Sequence, residues 1–496
     1  MGNLYDLLRS RFESDAQRPF LAVPGAEPQS YADLDSRSAS FAGALLESGV
    51  EPGDRVVVQV DKCPDAVALY LACLRVGAVY VPLNVAYTAE EVRYYLGDAT
   101  PRVVVSGPEP VGFGSEPEQD AWLTLDTEGH GSLPELADGR SHTAILPRDT
   151  NDIAAMLYTS GTTGRPKGAL LTHGNLASNA LTLNSLWGFG PKDVLLHALP
   201  VFHVHGLFVA LHCAMLSAAK VLFLPRFDPG AIRRGMREAS VMMGVPTFYS
   251  RLLADPDFGR GDCANMRLFI SGSAPLSETV FRSFTERTGH TILERYGMTE
   301  AGMITSNPLE GDRKPGTVGF ALPEVDVRVV DESGGTLAHG DVGAVEARGP
   351  NLFSGYWRMK EKTREAFRSD GFFRTGDVGS LDAEGRLQLA GRASDMIISG
   401  GLNIYPKEIE LCLDEAPEIG ESAVVGLPDS DFGEQVAAFV VPAPGASLEE
   451  ADVQRAVEGR LARFKHPKRV FIVASLPRNA MGKVQKAELR KTHGGS

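Results

Sequence analysis

The strongest constraint on the fold is an alternation of short apolar segments with amphipathic ones over the first 310 residues. Residues 55–60 and 79–83 are typical of buried strands, since Val recurs in both. Residues 31–46 and 65–76 instead carry apolar side chains at helical spacing. Strands that alternate with helices form a largely parallel sheet, so this part of the chain is predicted to be α/β.

Two changes of pattern divide the remainder. From about residue 316 short strands and turns predict a small β subdomain. After Arg392 strands and helices mix again, with predicted elements at residues 404–410, 422–426, 436–441 and 448–461. A chain of 496 residues is too long for one core. We therefore predict a large N-terminal domain, residues 1–392, and a small α+β C-terminal domain, residues 393–496.

Polar stretches follow several of the predicted strands. In open α/β sheets ligands collect at the carboxyl ends of the strands, so these stretches are predicted to form one site. They lie at residues 158–168, 197–206, 244–247, 271–275 and 294–300. By contrast, residues 112–140 are rich in Gly, Pro, Glu and Asp with little periodicity, and we predict a surface excursion without chemistry there.

The first polar stretch, Tyr158–Gly168, indicates a polyphosphate ligand. Its eleven residues hold four aliphatic hydroxyls, three glycines and two cations. Glycines allow close approach of the backbone, and successive N–H groups can form an anion-binding nest. It is not a Walker P-loop, because Lys167 is followed by Gly168 rather than Ser or Thr. The alternative is an ordinary polar loop between two elements.

Charge and composition exclude several functional classes. The formal charge is −14, from 49 basic and 63 acidic residues, which argues against non-specific nucleic-acid binding and against an anionic membrane surface. The longest apolar run, residues 207–219, is interrupted by His212 and Ser217 and is too short to span a bilayer. Five scattered cysteines without a CxxC pair, and the lack of a signal-peptide pattern, predict reduced thiols and a cytoplasmic location.

Five motifs in order carry a family resemblance. They are the stretch 158–168, Tyr296–Glu300, Arg374–Asp377, Gly391–Arg392 with Asp395, and Pro477–Lys483. Together they resemble the adenylate-forming family of acyl-CoA synthetases, firefly luciferase and peptide-synthetase adenylation domains, from about Tyr31 to Lys486. The resemblance implies that a carboxylate attacks the α-phosphorus of ATP, and that a thiol, here coenzyme A, then attacks the acyl-adenylate.

The resemblance also implies roles for individual residues at the phosphates. It assigns the β- and γ-phosphates to the loop residues Thr159, Ser160, Gly161, Thr162, Thr163, Gly164 and Lys167. Thr299 would touch the α-phosphate, and Glu300 would bind Mg²⁺, which commonly takes one carboxylate plus substrate phosphates. Lys483 would be the catalytic cation at the α-phosphate, since a lysine is a point charge on a long stem.

The nucleoside would lie beside a further group of residues. Tyr296 resembles the residue that stacks on adenine, and Gly272, Ser273 and Ala274 resemble the pocket wall. Asp377 and Arg392 resemble the pair that binds the ribose hydroxyls. Without the resemblance these two would be an ordinary turn aspartate and a surface arginine.

By the same resemblance the C-terminal domain is mobile. After the first half-reaction it would rotate about a hinge just after Arg392 and remove Lys483 from the site. A loop that contains Gly400 and Gly401 would then line the thiol tunnel. The chain departs from the family at the hinge, where Ser394 replaces the usual Asp or Lys.

Arg295 points to the substrate. If Tyr296 lies in an extended segment, the neighbouring side chain faces the opposite side, where the acyl pocket is expected. A buried arginine needs an anion, and a second carboxylate supplies one. The stretches around Phe202–Phe208, Phe269–Leu276 and Leu293–Glu300 resemble the malonyl-CoA synthetases, in which this arginine holds the distal carboxylate of malonate.

The resemblance extends the acyl pocket beyond Arg295. Ser271 and His203 belong to the predicted pocket, and Val204 and Met303 would decide whether methylmalonate is accepted. For His203 and His205, ordinary packing remains an alternative, and Arg251 is a second candidate cation.

The predicted partners are therefore a small dicarboxylate, ATP and CoA, as monomer or dimer. Three rival interpretations remain: a synthetase for another acid, an adenylation domain that loads a carrier protein, and a non-catalytic nucleotide-binding relative.

Overall fold

The computed structural model describes residues 2–109, 121–159, 166–399, 402–429, 432–479 and 482–494. Within these ranges the chain forms four sheets flanked by helices. The helices are Leu4–Arg9, Tyr31–Glu47, Pro64–Val76, Ala89–Ala99, Ser132–Ala137, His173–Leu186, His212–Leu216, Pro229–Met236, Pro246–Leu253, Glu278–Thr288, Lys360–Ala366, Pro406–Asp414, Glu450–Val457 and Lys486–His493.

The first sheet has seven strands among the described residues, and its central strands are parallel. In spatial order they are Gly355–Tyr356, Lys167–Thr172, Ile153–Thr159, Val79–Pro82, Arg55–Gln59, Val103–Ser106 and Ala121–Thr124. The valines of Arg55–Gln59 alternate between two apolar cores on opposite faces of the sheet, which is why this strand is a continuous apolar run.

The second sheet has nine strands in the described part of the chain. Their order is Phe320–Ala321, Gly302–Ser306, Leu293–Met298, Leu268–Ser271, Val241–Gly244, Val194–His197, Lys220–Phe223, Pro19–Ala22 and Gln29–Ser30. The strands from Leu293–Met298 to Pro19–Ala22 run parallel, so their carboxyl ends meet along one edge. The polar stretches at residues 197–206, 244–247 and 271–275 begin at this edge.

Two smaller sheets complete the fold. The predicted β subdomain is an antiparallel sheet in the order Asp326–Val330, Gly343–Arg348, Phe373–Leu381 and Leu387–Arg392. The C-terminal sheet has the order Leu402–Ile404, Ile397–Ser399, Gly433–Pro442 and Ile419–Asp429, with Arg469–Ile472 parallel to Gly433–Pro442.

The prediction of an α/β protein with an N-terminal part, a β subdomain and a small C-terminal α+β part is confirmed. Apolar cores from Leu4 to Leu387 and from Ile397 to Leu489 share no buried residue among those described. The short turn Ala393–Asp395 connects them. All five cysteines are free and buried, and no described helix has the length and apolar character that a bilayer crossing needs.

One local prediction was wrong. Within residues 112–140, which we expected to be a surface excursion, Ala121–Thr124 is an edge strand and Ser132–Ala137 is a helix. Leu123, Leu125 and Leu133 are buried. The polar composition around these few apolar residues concealed the elements, since no periodicity extends over a longer window.

Candidate active site

Three of the five polar stretches begin at the carboxyl edge of the nine-stranded sheet, where His197, Gly244 and Ser271 end three neighbouring parallel strands. The first stretch begins instead at the end of the strand Ile153–Thr159, in the seven-stranded sheet. The fifth stretch differs from the expected position at a strand end, because Arg295 and Tyr296 lie inside the strand Leu293–Met298. An antiparallel strand, Gly302–Ser306, returns directly alongside and holds both residues in extended backbone.

A hydrogen-bonded chain joins three of the predicted nucleotide residues. The Tyr296 hydroxyl donates to Oδ2 of Asp377, and Arg392 Nε lies 3.1 Å from the other carboxylate oxygen, Oδ1. Asp377 is also positioned by its own backbone N–H, which donates to Thr375 Oγ1 at 3.1 Å. Burial and the charge of Asp377 raise the pKa of Tyr296, so its hydroxyl remains a donor. The predicted ribose pair and adenine platform are thus in contact.

Glu300 is a buried carboxylate that contacts Tyr356. Burial raises its pKa above that of a free glutamate. Tyr356 Oη donates to Oε1 at 3.0 Å, and the ammonium of Lys167 lies 4.6 Å from the Tyr356 ring centroid. The chain therefore places a carboxylate and a lysine on either side of one tyrosine. Sequence reasoning missed Tyr356, which no motif signalled.

Lys483 lies near the N-terminal part and is held by Asn479. The Asn479 N–H donates to the Lys483 carbonyl oxygen at 2.9 Å, and the Lys483 N–H donates to Asn479 Oδ1 at 3.0 Å. The turn residue Gly482 sits against the N-terminal part, where an added Cβ would lie 3.1 Å from Thr247 Oγ1. Although the Lys483 side chain stays accessible, its pKa is lowered by desolvation and by the charge of Arg392.

Arg295 is the least satisfied charged residue of the site. Its side chain is almost fully buried, at 3% exposure. Its Nε and Nη2 have no hydrogen-bond partner among the residues that the structure describes. Burial lowers its pKa to about 9, which still leaves it charged at neutral pH. Burying an unpaired ion costs on the order of several kcal/mol, so this guanidinium needs an anion.

Two histidines and a serine surround that guanidinium. His205 is buried, with Ser273 Oγ 3.2 Å from its Nδ1, and its Nε2 is unpartnered within the described ranges. The pKa of His203 is lowered to about 4 by burial and by the charges of Arg295 and Lys483. Both histidines are therefore neutral at neutral pH. The charges of Arg295 and Lys483 both contribute to the lowered pKa of His203, so His203 lies near both cations.

The remaining predicted acyl residues occupy different environments. Ser271 is fully buried, and its hydroxyl has no partner in the described part of the chain. Val204 is buried and lines a small cavity with Phe208 and Gly302. Met303 is buried on the strand that returns beside Arg295. Arg251, the alternative cation, is exposed on the helix Pro246–Leu253.

The other predicted residues fall into two groups. Thr159 ends its strand, Ala274 and Thr299 are half-buried beside the nucleotide residues, and Ser394 is exposed in the connecting turn. The second group lies outside the described residues and comprises Ser160, Gly161, Thr162, Thr163, Gly164, Gly400 and Gly401.

Comparisons with known proteins give the chain a family context. Residues 9–357 match the family described as AMP-binding enzyme, and residues 408–483 match the AMP-binding enzyme C-terminal domain. The crystal structure of ATP-bound MatB from Rhodopseudomonas palustris is similar at 48% identity, with a TM-score of 0.96 and coverage of 100% of this chain and 99% of that one.

Two curated relatives are similar along most of their length. A mitochondrial malonate–CoA ligase from Bos taurus is 37% identical over 455 residues, which are 83% of this chain and 77% of the relative. An indoleacetate–CoA ligase from Aromatoleum aromaticum is 37% identical over 475 residues, 93% of this chain and 92% of the relative. Both relatives are 37% identical to this chain although they act on different acids. Sequence identity therefore does not indicate the acid, which has to be inferred from the residues of the acyl pocket.

Proposed function

Because the chain belongs to the AMP-binding enzyme family, we propose that it is an AMP-forming acid–thiol ligase that joins malonate to coenzyme A. Malonate and ATP would give malonyl-adenylate and pyrophosphate, and CoA would then give malonyl-CoA and AMP. The observation that carries the choice of acid is Arg295, whose buried guanidinium lacks an anion among the described residues. A monocarboxylate would leave that charge unpaired, whereas a second carboxylate can accept two parallel N–H bonds from it.

The predicted nucleotide residues support the first half-reaction. Tyr296 and Asp377 would hold adenosine, and Lys167 would meet the terminal phosphates. Thr299 and Lys483 would stabilise charge that develops at the α-phosphate, since fixed donors and cations act strongly in a site from which water is excluded. A diacid would present one carboxylate to ATP and the other to the guanidinium of Arg295.

The residues also fit a magnesium ion. Glu300 is a buried carboxylate, and one described side chain, Tyr356, donates to its Oε1 while its ring lies beside Lys167. Magnesium prefers one or two carboxylates plus substrate phosphates. Bound there, it would neutralise phosphate charge during adenylation. Tyr356 would keep the Glu300 carboxylate ionised and correctly oriented.

The second half-reaction would use the predicted two-domain arrangement. We place the boundary between residues 392 and 393, with the hinge at Ser394. Rotation would withdraw Lys483 and bring the loop that contains Gly400 and Gly401 to the site, where it would line the path of CoA. The proposal includes a cytoplasmic location, whereas the relative from Bos taurus is a mitochondrial protein.

The decisive experiment compares acids in a pyrophosphate-release assay with ATP, Mg²⁺ and CoA. Malonate should be consumed far better than acetate, benzoate or indoleacetate. Arg295→Met should abolish that preference, because it removes the charge while filling a similar volume. If the wild type prefers a monocarboxylate, or if Arg295→Met retains malonate activity, the assignment to malonate is wrong. Methylmalonate in the same panel tests the roles of Val204 and Met303.

Two rivals remain open to direct test. Offering a carrier protein against CoA as the thiol acceptor distinguishes a carrier-loading adenylation domain from a CoA ligase. A non-catalytic relative would release no pyrophosphate with any acid. The presence of Glu300, Lys167 and Lys483 together argues against a non-catalytic relative.

A further inference from the structure

Lys62 is a buried lysine that the reaction described above does not use. It lies between the strand Arg55–Gln59 of the first sheet and the helix Pro64–Val76. Its Nζ crosses to the second sheet and contacts three acceptors: His197 Nδ1 at 2.8 Å, the His197 carbonyl at 2.9 Å and the Leu224 carbonyl at 2.6 Å. It also lies 4.3 Å from the ring centroid of Phe223. Three acceptors match the three N–H donors of an ammonium.

This contact determines the tautomer of His197. Two Lys62 N–H groups face the carbonyl oxygens, and in the ammonium form the third donates to His197 Nδ1, which then carries no proton. The opposite ring nitrogen, Nε2, lies 2.9 Å from the Gly206 carbonyl oxygen, which can only accept. Neutral His197 therefore carries its proton on Nε2. Burial and the charge of Lys62 lower its pKa well below the usual range, so the doubly protonated form is excluded near neutral pH.

The acceptor of that proton belongs to the segment that forms the acyl pocket. Gly206 is the second residue of a π-helix, His205–Leu211, a rare form that is frequent at functional sites. The backbone at Gly206 packs too closely for any side chain, since an added Cβ would lie 2.0 Å from the Pro200 carbonyl oxygen. The preceding residue, His205, contacts Ser273 beside Arg295.

We propose that Lys62 is a positioning residue for the dicarboxylate pocket, which it controls by fixing the tautomer of His197. His197 then holds the Gly206 carbonyl, and this bond sets the start of the π-helix, whose first residue, His205, faces the Arg295 pocket two residues after His203. The inference rests on the proposed function, because it concerns the pocket for the second carboxylate. Lys62, which follows a strand of the first sheet and is distant in sequence from every motif, would thus help to determine which acid is bound.

A purely structural role explains the contacts less well. Among the described residues, no carboxylate lies within ion-pair distance of Lys62, and burial lowers its pKa well below that of a free lysine. Burying a charge without a counter-ion is expensive, and an apolar side chain would join the two sheets at lower cost. What an apolar side chain could not do is keep the proton off His197 Nδ1.

The test compares Lys62→Met with Lys220→Met, a control on a neighbouring strand whose lysine pairs with Glu238 at the surface. For Lys62→Met, the loss of one oriented hydrogen bond should raise the malonate KM about tenfold, and lower the malonate-to-acetate ratio of kcat/KM about as much. The KM for ATP should stay within about twofold in both variants, since neither lysine touches the nucleotide residues. Lys220→Met should match the wild type for both acids.

A second pair of variants tests the relay at His197. His197→Gln retains an amide donor at the position of Nε2 and should keep the malonate preference, whereas His197→Met should lose it. Nitrogen-15 histidine spectra of the whole protein should show the Nε2–H tautomer at residue 197 in the wild type and a shift toward Nδ1–H in Lys62→Met.

The outcomes separate this inference from the proposed function. If the wild type prefers malonate and Lys62→Met keeps that preference, the inference is overturned and the function stands. If Lys62→Met does not fold, the His197 pair decides, and equal selectivity of the Gln and Met variants overturns it. A wild type without malonate preference removes the proposed function and the inference together.

Discussion

The guanidinium of Arg295 lies directly against the backbone of Gly272, so that a Cβ added to residue 272 would come within 2.4 Å of Arg295 Cζ. The glycine thus determines how deeply the arginine can sit. Gly272 follows the strand Leu268–Ser271, and Arg295 lies in the adjacent parallel strand Leu293–Met298. A displacement of either residue therefore displaces the other. This relationship gives a sharper test of the acyl pocket than removal of the charge.

Gly272→Ala should impair malonate activation without removing any functional group. The methyl group would push Arg295 by about 1 Å, and a displacement of that size can cost on the order of a hundredfold in kcat/KM. Pyrophosphate release with malonate is the measurement. Gly97→Ala is a matched control, since nothing lies within 4 Å of its added Cβ. Unchanged malonate kinetics in Gly272→Ala would contradict the role given to the guanidinium.

Malonate alone should stabilise the folded protein. The bound diacid would neutralise a charge that is otherwise buried without a partner, and saturation at about 100 Kd corresponds to ~2.7 kcal/mol. Thermal melting with and without malonate measures this, with acetate as the comparison. Arg295→Met should melt at a similar or higher temperature than the unliganded wild type, because apolar replacement of a buried ion is often neutral or stabilising. A malonate-dependent rise in that variant would contradict the prediction.

Lys483→Ala should separate the two half-reactions. Removing a cation that acts at the α-phosphate should slow adenylate formation by about 10²–10³-fold. Transfer to CoA from supplied malonyl-adenylate should proceed at a rate close to that of the wild type, because Lys483 would have left the site by then. Single-turnover assays of each half measure this, with Lys491→Ala, exposed on the last helix, as the control. Equal loss in both halves would contradict domain rotation.

Tyr356→Phe should move the acid limb of the pH–rate profile to higher pH. The Tyr356 hydroxyl donates to the Glu300 carboxylate and favours its ionised form, whereas burial already raises the pKa of that carboxyl. Without the donor the pKa rises further, so Glu300 is protonated, and loses Mg²⁺, at a higher pH. The ring that faces Lys167 is retained in the variant. Profiles of kcat/KM for MgATP should reveal the shift, and an unchanged or downward-shifted limb would refute it.

Sequence reasoning placed Arg295 and Tyr296 successfully because strand geometry is local. Two adjacent residues in extended backbone face opposite sides, and the structure confirms that both lie in one strand. The fold class, the β subdomain and the family were likewise accessible, since each rests on periodicity or on ordered motifs. The catalytic roles stay predictions, because the sequence contributes them only through resemblance.

What the sequence could not supply are contacts between distant segments. Tyr356 reaches Glu300 from a two-residue strand that pairs with Lys167–Thr172. Lys62 and His197 are 135 residues apart; Lys62 follows a strand of the first sheet, and His197 ends a strand of the second. Neither pairing leaves a periodic or compositional trace, because each depends on how two finished sheets pack together. Such residues become visible only when unpaired or oddly paired polar atoms are traced in three dimensions.

The connection between the two parts of the molecule is anchored on both sides. Arg392 is bound to Asp377 in the β subdomain, and Asp395 accepts a hydrogen bond of 2.9 Å from Arg490 in the last helix. Only Ala393 and Ser394 lie between these anchors, each with two soft backbone torsions. Any large reorientation of the C-terminal part must therefore come from a few backbone torsions in this short connection. So short a connection would restrict the C-terminal part to a narrow range of paths. Its end orientations would then be determined by the surfaces that it contacts.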